Sequence, residues 1–139
     1  MITALDTTVL LDVFMADARF GQASREALRR CRTEGALIAC DIVWAEVSAA
    51  FSNERAAYDA LETLGVGFDP LNEAAAANAG SSWREYRRRG GTRTRVIPDF
   101  LIAAHAGARA DRLLTRDRGF TRTYFGHITV MDPTSSRGT

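Results

Sequence analysis

Four acidic side chains, far apart in the sequence, are the residues best suited to chemistry. Asp6 and Asp117 follow short apolar runs that have the pattern of buried strands, whereas Glu46 and Asp99 fall in the first turns of two helical segments. Because the carboxyl ends of parallel strands share one edge of an open α/β sheet, all four can point at the same edge. Clustered carboxylates repel one another unless a cation holds them, so this grouping predicts a site for a hard divalent cation.

Each of these carboxylates also has an ordinary structural explanation when it is taken singly. Asp6 could cap the helix that follows it, and Asp99 could complement a helix N-terminus. Asp117 could cap a turn, and Glu46 could simply be solvated. These explanations weaken when the four are considered together, because Glu46 and Asp99 are flanked by apolar residues, among which an unpaired charge is costly.

The histidines and cysteines do not offer a competing metal site. His105 and His127 have no paired ligand spacing, so an oxygen-only site would favour magnesium or manganese over zinc. His105 is six residues after Asp99 and would point to a different helix face, so we expect it to be a packing or surface residue. Cys31 and Cys40 lack CxxC spacing and are expected to be reduced and mostly buried.

The basic residues exclude several classes of enzyme. All eighteen are arginine and none is lysine, in a chain with a net charge of +1. A Walker phosphate loop and a Schiff-base enzyme both need lysine, so neither can be built from this chain. Arginine suits bidentate phosphate contacts. Arg93 and Arg95, in a polar loop shortly before Asp99, are therefore candidates for contact with RNA, although exposed arginines are often only solvated.

The elements that must position these residues alternate between short apolar runs and segments of helical period, which predicts an α/β domain with a parallel sheet. Strands are predicted at 2–5, 36–40, 66–71, 112–115 and 128–131, with helices between the first four of them. Asp41 is predicted to cap one of these helices, and Pro98 to lie in the first turn of the helix that carries Asp99. Asp12 and Asp111 are predicted to be ordinary helix and loop charges.

The chain length fits one domain, predicted to span residues 1–133 and to be followed by a polar tail at 134–139. The apolar N-terminal run is interrupted by Asp6 and Asp12 and has no basic leader. Neither a signal peptide nor a membrane span fits this pattern, so we expect a soluble, cytoplasmic protein.

Four motifs occur in a fixed order: LDTTVLLD near the start, WAEV, PDFLIAAHA, and LLTRDRGF. In that order and spacing they resemble the PIN-domain nucleases, specifically the VapC-type toxins of bacterial type II toxin-antitoxin systems, over nearly the whole chain. The resemblance implies a PIN-like open parallel sheet of about five strands flanked by helices. It also implies an acidic catalytic and metal-binding site of Asp6, Glu46, Asp99 and Asp117, supported by hydrogen bonds from Thr7 and Thr115.

The resemblance further implies a magnesium-dependent endoribonuclease, in which manganese can substitute, acting on cellular RNA such as tRNA or rRNA. Asp6 and Asp99 are expected as direct ligands, Glu46 as a ligand or as the group that orients water, and Asp117 as a ligand either directly or through water. A small cognate antitoxin and a homodimer of the toxin are the implied partners.

Three other functions compete with this one. A non-catalytic RNA- or protein-binding PIN module is the main alternative. A DNA nuclease is less favoured, because the short chain has little room for DNA-clamping elements. A phosphatase or phospho-receiver domain also uses aspartates at strand ends, but its common versions add a lysine that this chain lacks.

Overall fold

The computed structural model describes residues 1–117 and 119–135, apart from the side chain of Phe120. Within this part of the chain there are five strands and seven helices. In chain order these are β1 (Ile2–Leu5), α1 (Thr7–Phe14), α2 (Gly21–Glu34), β2 (Ala36–Ala39), α3 (Asp41–Ala50), α4 (Glu54–Leu64), β3 (Val66–Phe68), α5 (Glu73–Arg88), α6 (Pro98–Arg109), β4 (Arg112–Leu114), α7 (Gly119–Tyr124) and β5 (Val130–Met131).

All strand pairs in the sheet are parallel, and the strand order is β3-β2-β1-β4-β5. The central strand β1 pairs with β2 through Thr3 and Leu37 and with β4 through Ala4 and Leu113. Its residues 3–5 are buried, as expected for a strand covered by helices on both faces. The prediction of a PIN-like open parallel sheet of five strands flanked by helices is confirmed.

Two cores hold the layers together. The larger one packs β1, β2 and β4 against α1 to α4, with Leu5, Val9, Val43 and Leu114 fully buried. The smaller one joins α5, α6 and α7 around Phe100, which is fully buried. Because Phe100 follows Asp99 directly, this smaller core fixes the start of α6 close to the predicted acidic edge.

Several helix boundaries follow from local chemistry. α4 ends at Gly65, whose φ of 81° is the left-handed conformation that favours glycine. The Asn72 side chain caps α5 by accepting a hydrogen bond from the Ala75 amide at 2.8 Å. The prediction that Asp41 caps α3 is wrong by one residue: Asp41 is the first helical residue, and its Oδ1 accepts a hydrogen bond from the Leu71 amide at 3.0 Å.

The chain termini and the cysteines complete the description. Cys31 and Cys40 are free and buried, which confirms that prediction. No helix in the described part of the chain is long and apolar enough to cross a membrane. The predicted tail at 134–139 lies outside the described residues except for Thr134 and Ser135, and the extent of the domain stays a prediction. The Thr134 amide donates to Asp132 Oδ1 at 2.9 Å.

Candidate acidic site

Asp6 lies at the end of β1, where it caps α1. Its Oδ1 accepts a hydrogen bond from the Thr7 amide at 2.7 Å, and its Oδ2 accepts one from Thr115 Oγ1 at 2.5 Å. The Thr8 hydroxyl lies 3.4 Å from the same Oδ2. Asp6 is only 8% exposed, and this burial raises the pKa of its carboxyl, while the hydrogen bonds from Thr115 and Thr7 act in the opposite direction.

Glu46 is half-buried on α3, within the WAEV motif. The Thr7 hydroxyl donates a hydrogen bond to Glu46 Oε1 at 2.5 Å. Thr7 therefore contacts two of the predicted acids, with its amide on Asp6 and its hydroxyl on Glu46. Thr7 and Glu46 are 39 positions apart in the sequence. The hydrogen bond between them holds the glutamate carboxylate at the edge of the sheet.

Asp99 is half-buried in the first turn of α6, next to Asp117. Burial is the largest cause that raises the pKa of Asp99 to about 6, followed by a hydrogen bond with Asp117 and by the charges of Asp117, Asp6 and Glu46. A hydrogen bond between two carboxyl groups requires a proton on one of them. The Asp99 carboxyl therefore experiences the negative charge of all three other predicted acids.

Asp117 is the most exposed of the four acids. Its amide donates to Thr115 Oγ1 at 3.0 Å, and the Gly119 amide donates to its Oδ1 at 2.9 Å. Thr115 thus connects the backbone of Asp117 to the buried carboxylate of Asp6. The residues that line the cleft here are Asp6, Asp99, Ile102, Leu113, Thr115, Asp117 and Thr121.

These contacts bring the predicted site residues together from four different elements. Three of the acids line one cleft, and Glu46 reaches the same network through Thr7. Among the described residues, no three aspartate, glutamate, histidine or cysteine side chains are already arranged as a metal site. The donor chemistry nevertheless fits a hard divalent cation, because the donors are carboxylate oxygens, and burial followed by the neighbouring acids raises the pKa of Asp99.

Asp12 and Asp111 were predicted to be ordinary charges; the structure contradicts this for Asp12, whereas Asp111 is exposed in a loop. Asp12 is 5% exposed and accepts two hydrogen bonds from Arg116, at 2.8 and 3.0 Å. Asp111 Oδ2 accepts a hydrogen bond from the Ile2 amide at 2.6 Å, which fixes the start of β1. The signal for Asp12 was present in the sequence, since a lone charge within the apolar run VLLDVF needs a buried partner.

His105 is buried on α6 and has a different environment from the acidic cleft. Its Nε2 lies 2.8 Å from Oδ2 of Asp69, the residue after β3, and Arg109 contacts both carboxylate oxygens of Asp69 at 2.9 Å. Hydrogen bonding to Arg109, and then to His105, lowers the pKa of Asp69 to about 2. These three residues form a hydrogen-bonded cluster, with an ion pair between Arg109 and Asp69, that attaches α6 to the edge strand.

The loop that contains Arg93 and Arg95 is held by α5. Arg87 Nη1 donates to the Arg93 carbonyl at 2.5 Å and lies 3.4 Å from the Gly91 carbonyl. Both loop arginines are exposed, and neither has an ion-pair partner among residues 1–117 and 119–135. The loop therefore leaves two positive charges free shortly before Asp99.

Comparison with solved structures shows the same fold in bacterial toxin-antitoxin complexes. A chain of VapBC2 from Rickettsia felis, bound to a promoter DNA fragment, has a TM-score of 0.71 at 17% identity over 95% of this chain and 98% of that one. A chain of the toxin-antitoxin complex from Klebsiella pneumoniae has a TM-score of 0.68 at 22% identity, covering 96% and 99%. VapC20 from Mycobacterium tuberculosis, a sarcin-ricin loop cleaving toxin, has a TM-score of 0.57 at 15% identity, covering 86% and 92%.

Sequence comparison identifies the family directly. No curated protein sequence matches the chain. The family model described as PIN domain, however, matches residues 3–126, which include all four predicted acids and the two threonines that donate hydrogen bonds to Asp6 and Glu46. This match extends over most of the chain, and it agrees with the parallel sheet and with the structural similarity to the toxin-antitoxin chains. The chain therefore belongs to the PIN domain family.

Proposed function

We propose that this PIN-domain protein is a magnesium-dependent endoribonuclease that hydrolyses phosphodiester bonds of cellular RNA and acts as the toxin of a toxin-antitoxin pair. The observation that carries the proposal is the convergence of four carboxylates from four elements on one network centred on Asp6. A purely structural role does not account for this cluster, because burial, then a hydrogen bond with Asp117 and the charges of the other acids, raise the pKa of Asp99 to about 6 and cost stability.

The chain's own residues have distinct parts in the proposed reaction. Asp6 and Asp99 would hold Mg²⁺, for which Mn²⁺ can substitute, and the bound cation supplies positive charge to the phosphodiester and to the leaving oxygen. Glu46, with one oxygen held by Thr7, would orient the attacking water and accept its proton. Asp117 is exposed and would add its negative charge on the solvent side of the cleft.

Substrate binding is assigned to the loop before α6. Arg93 and Arg95 are exposed, unpaired within the described residues and close in sequence to Asp99, so they can contact the RNA backbone on its way to the acidic edge. A shallow cleft must receive a phosphate that is splayed away from its neighbours, so single-stranded or loop RNA suits it better than a duplex.

A cognate antitoxin is the proposed inhibitor, and a homodimer is the proposed state of the free toxin. The support for the antitoxin comes from the structural relatives, which include chains of VapBC2 and of a toxin-antitoxin complex; the homodimer rests on the resemblance to VapC-type toxins alone. Coexpression with the protein encoded beside this chain, followed by purification and an RNA cleavage assay, would test this part: a stable complex without activity supports it, and no complex contradicts it.

The central experiment is cleavage of total cellular RNA by the purified protein with Mg²⁺, with Mn²⁺ and with EDTA. Asp6→Asn and Asp99→Asn are the test variants, and Asp59→Asn, whose exposed side chain pairs with Arg55 on α4, is the matched control. We expect discrete cuts that need the metal, persist in the control and disappear in both test variants. Folded, antitoxin-free protein that does not cut RNA would favour a non-catalytic binding module, and cutting of DNA alone would favour a DNA nuclease.

A further inference from the structure

One buried ion pair lies next to the acidic cleft and has no part in the proposed reaction. Asp12, on α1, accepts hydrogen bonds from Arg116 Nε at 2.8 Å and from Arg116 Nη2 at 3.0 Å. Ser24, on α2, donates a third hydrogen bond to Asp12 Oδ2 at 2.9 Å. The guanidinium also lies over the ring of Phe20, 3.9 Å from its centroid. The arginine is thus held in one place by a bidentate contact and by an aromatic face.

The position of Arg116 in the chain makes this arrangement important for the cleft. Arg116 stands between Thr115, which donates to Asp6, and Asp117, which shares a hydrogen bond with Asp99. Hydrogen bonding to Asp12 raises the pKa of the Arg116 guanidinium, and the charges of Asp17 and then Asp6 contribute to the same effect. The Arg116 charge therefore acts on Asp6 of the cleft, while its own hydrogen bonds are made to Asp12.

We propose that Asp12 is a positioning residue that holds the Arg116 guanidinium against Phe20 and away from the acidic cleft, and thereby keeps the carboxylates available for the divalent cation. The inference rests on the proposed function only in requiring that the acidic cleft binds a cation. Without Asp12, the other negative groups whose charges act on the arginine are Asp17 and then Asp6. An arginine drawn to Asp6 would compete with the metal for the carboxylates of the cleft.

A simpler explanation is that the pair only stabilises the fold. The two explanations differ because the partners are unequally buried: the side chain of Asp12 is 6% exposed, and that of Arg116 is 26% exposed. Removal of the arginine leaves a buried carboxylate without its cation, whereas removal of the carboxylate leaves a cation that can reach solvent or the cleft. A structural role therefore predicts that Arg116→Gln is the more damaging change in every assay.

The experiment compares Asp12→Asn, Arg116→Gln and the double variant in two measurements on the intact protein. Mn²⁺ affinity is measured by titration calorimetry, and the unfolding midpoint is measured by urea denaturation in EDTA. The exposed pair of Arg55 and Asp59 provides the matched control, as Asp59→Asn, Arg55→Gln and their combination.

We expect the variants Arg116→Gln and Asp12→Asn to rank in opposite order in the unfolding and Mn²⁺-binding measurements. Arg116→Gln lowers the unfolding midpoint more than Asp12→Asn does. Asp12→Asn weakens Mn²⁺ binding by about tenfold or more, as expected for a unit charge a few ångströms away at a protein surface, and the double variant recovers binding to within about threefold of wild type because the competing cation is gone.

Three results would overturn the inference. If Asp12→Asn binds Mn²⁺ as wild type does, or if the double variant binds no better than Asp12→Asn, then Asp12 does not act by restraining Arg116, while the proposed metal site stands. If the wild-type protein itself binds no Mn²⁺, the proposed function fails and the inference fails with it. The control variants should leave both measurements unchanged.

Discussion

Replacement of Asp99 by asparagine should stabilise the metal-free protein while it removes the proposed activity. The rise of the Asp99 pKa from its ordinary value of 3.8 to about 6 corresponds to about 3 kcal/mol, at about 1.4 kcal/mol for each tenfold change in proton affinity. Because Asp99 is only half-buried, screening by solvent reduces the expected gain to about 1–2 kcal/mol. An asparagine amide can also still donate a hydrogen bond to Asp117.

The pH dependence of this gain has a definite sign. The folded protein keeps a proton on Asp99 between pH 3.8 and about 6, where the unfolded chain has lost it, so the stability of the wild type falls as the pH rises through this window. The variant has no such group. The gain in the free energy of unfolding of the variant over the wild type should therefore be near zero below pH 4 and complete above pH 6.

Urea denaturation in EDTA at pH 4 and at pH 8 measures this difference, with Asp59→Asn as the exposed control. Addition of Mg²⁺ at pH 8 should stabilise the wild type more than the variant, since ligand binding to the folded state adds stability by mass action. The reasoning is refuted if Asp99→Asn is no more stable than the wild type at pH 8 in EDTA, or if its advantage is the same at both pH values.

Three further predictions concern other positions. Asp69→Asn should lower the free energy of unfolding by about 1 kcal/mol at pH 7, and because the pKa of Asp69 is lowered to about 2, urea denaturation should show the loss shrinking as the pH falls from 3.8 towards 2. Thr115→Val should weaken Mn²⁺ binding by about tenfold in calorimetry, because the buried Asp6 carboxylate loses a hydrogen bond; unchanged affinity would contradict this. Gly35→Ala should sharply lower the melting temperature, because its β-carbon would overlap the carbonyl of the first residue, whereas Gly80→Ala, in open space on α5, should leave it unchanged or raise it.

The sheet and the cleft were accessible from the sequence for a simple reason. The strands of this fold are short apolar runs. The four candidate acids either follow a strand directly or lie near the start of a helix. Both signals are local. Asp6 at the end of β1 and Asp99 in the first turn of α6 could therefore be placed at one edge of a parallel sheet, and the structure brings them together there.

Two features of the helices were not predicted correctly from the sequence. The short helix α7 was not predicted, because six residues carry too little periodicity to show a pattern. The start of α3 was misplaced by one residue, because the Asp41 carboxylate serves the distant Leu71 amide instead of its own helix. A capping residue and a tertiary contact have the same appearance in a sequence.

The sequence by itself determined the order of the strands, the family and the set of candidate acids, because all of these depend on residue type and spacing. Only the tertiary structure decided which charges are paired. Asp12 and Arg116 are 104 residues apart, and Asp69 lies 36 residues from His105. Such partners cannot be chosen from periodicity, since the strength of each contact depends on burial and on distances of a few ångströms that exist only once the helices have packed on the sheet.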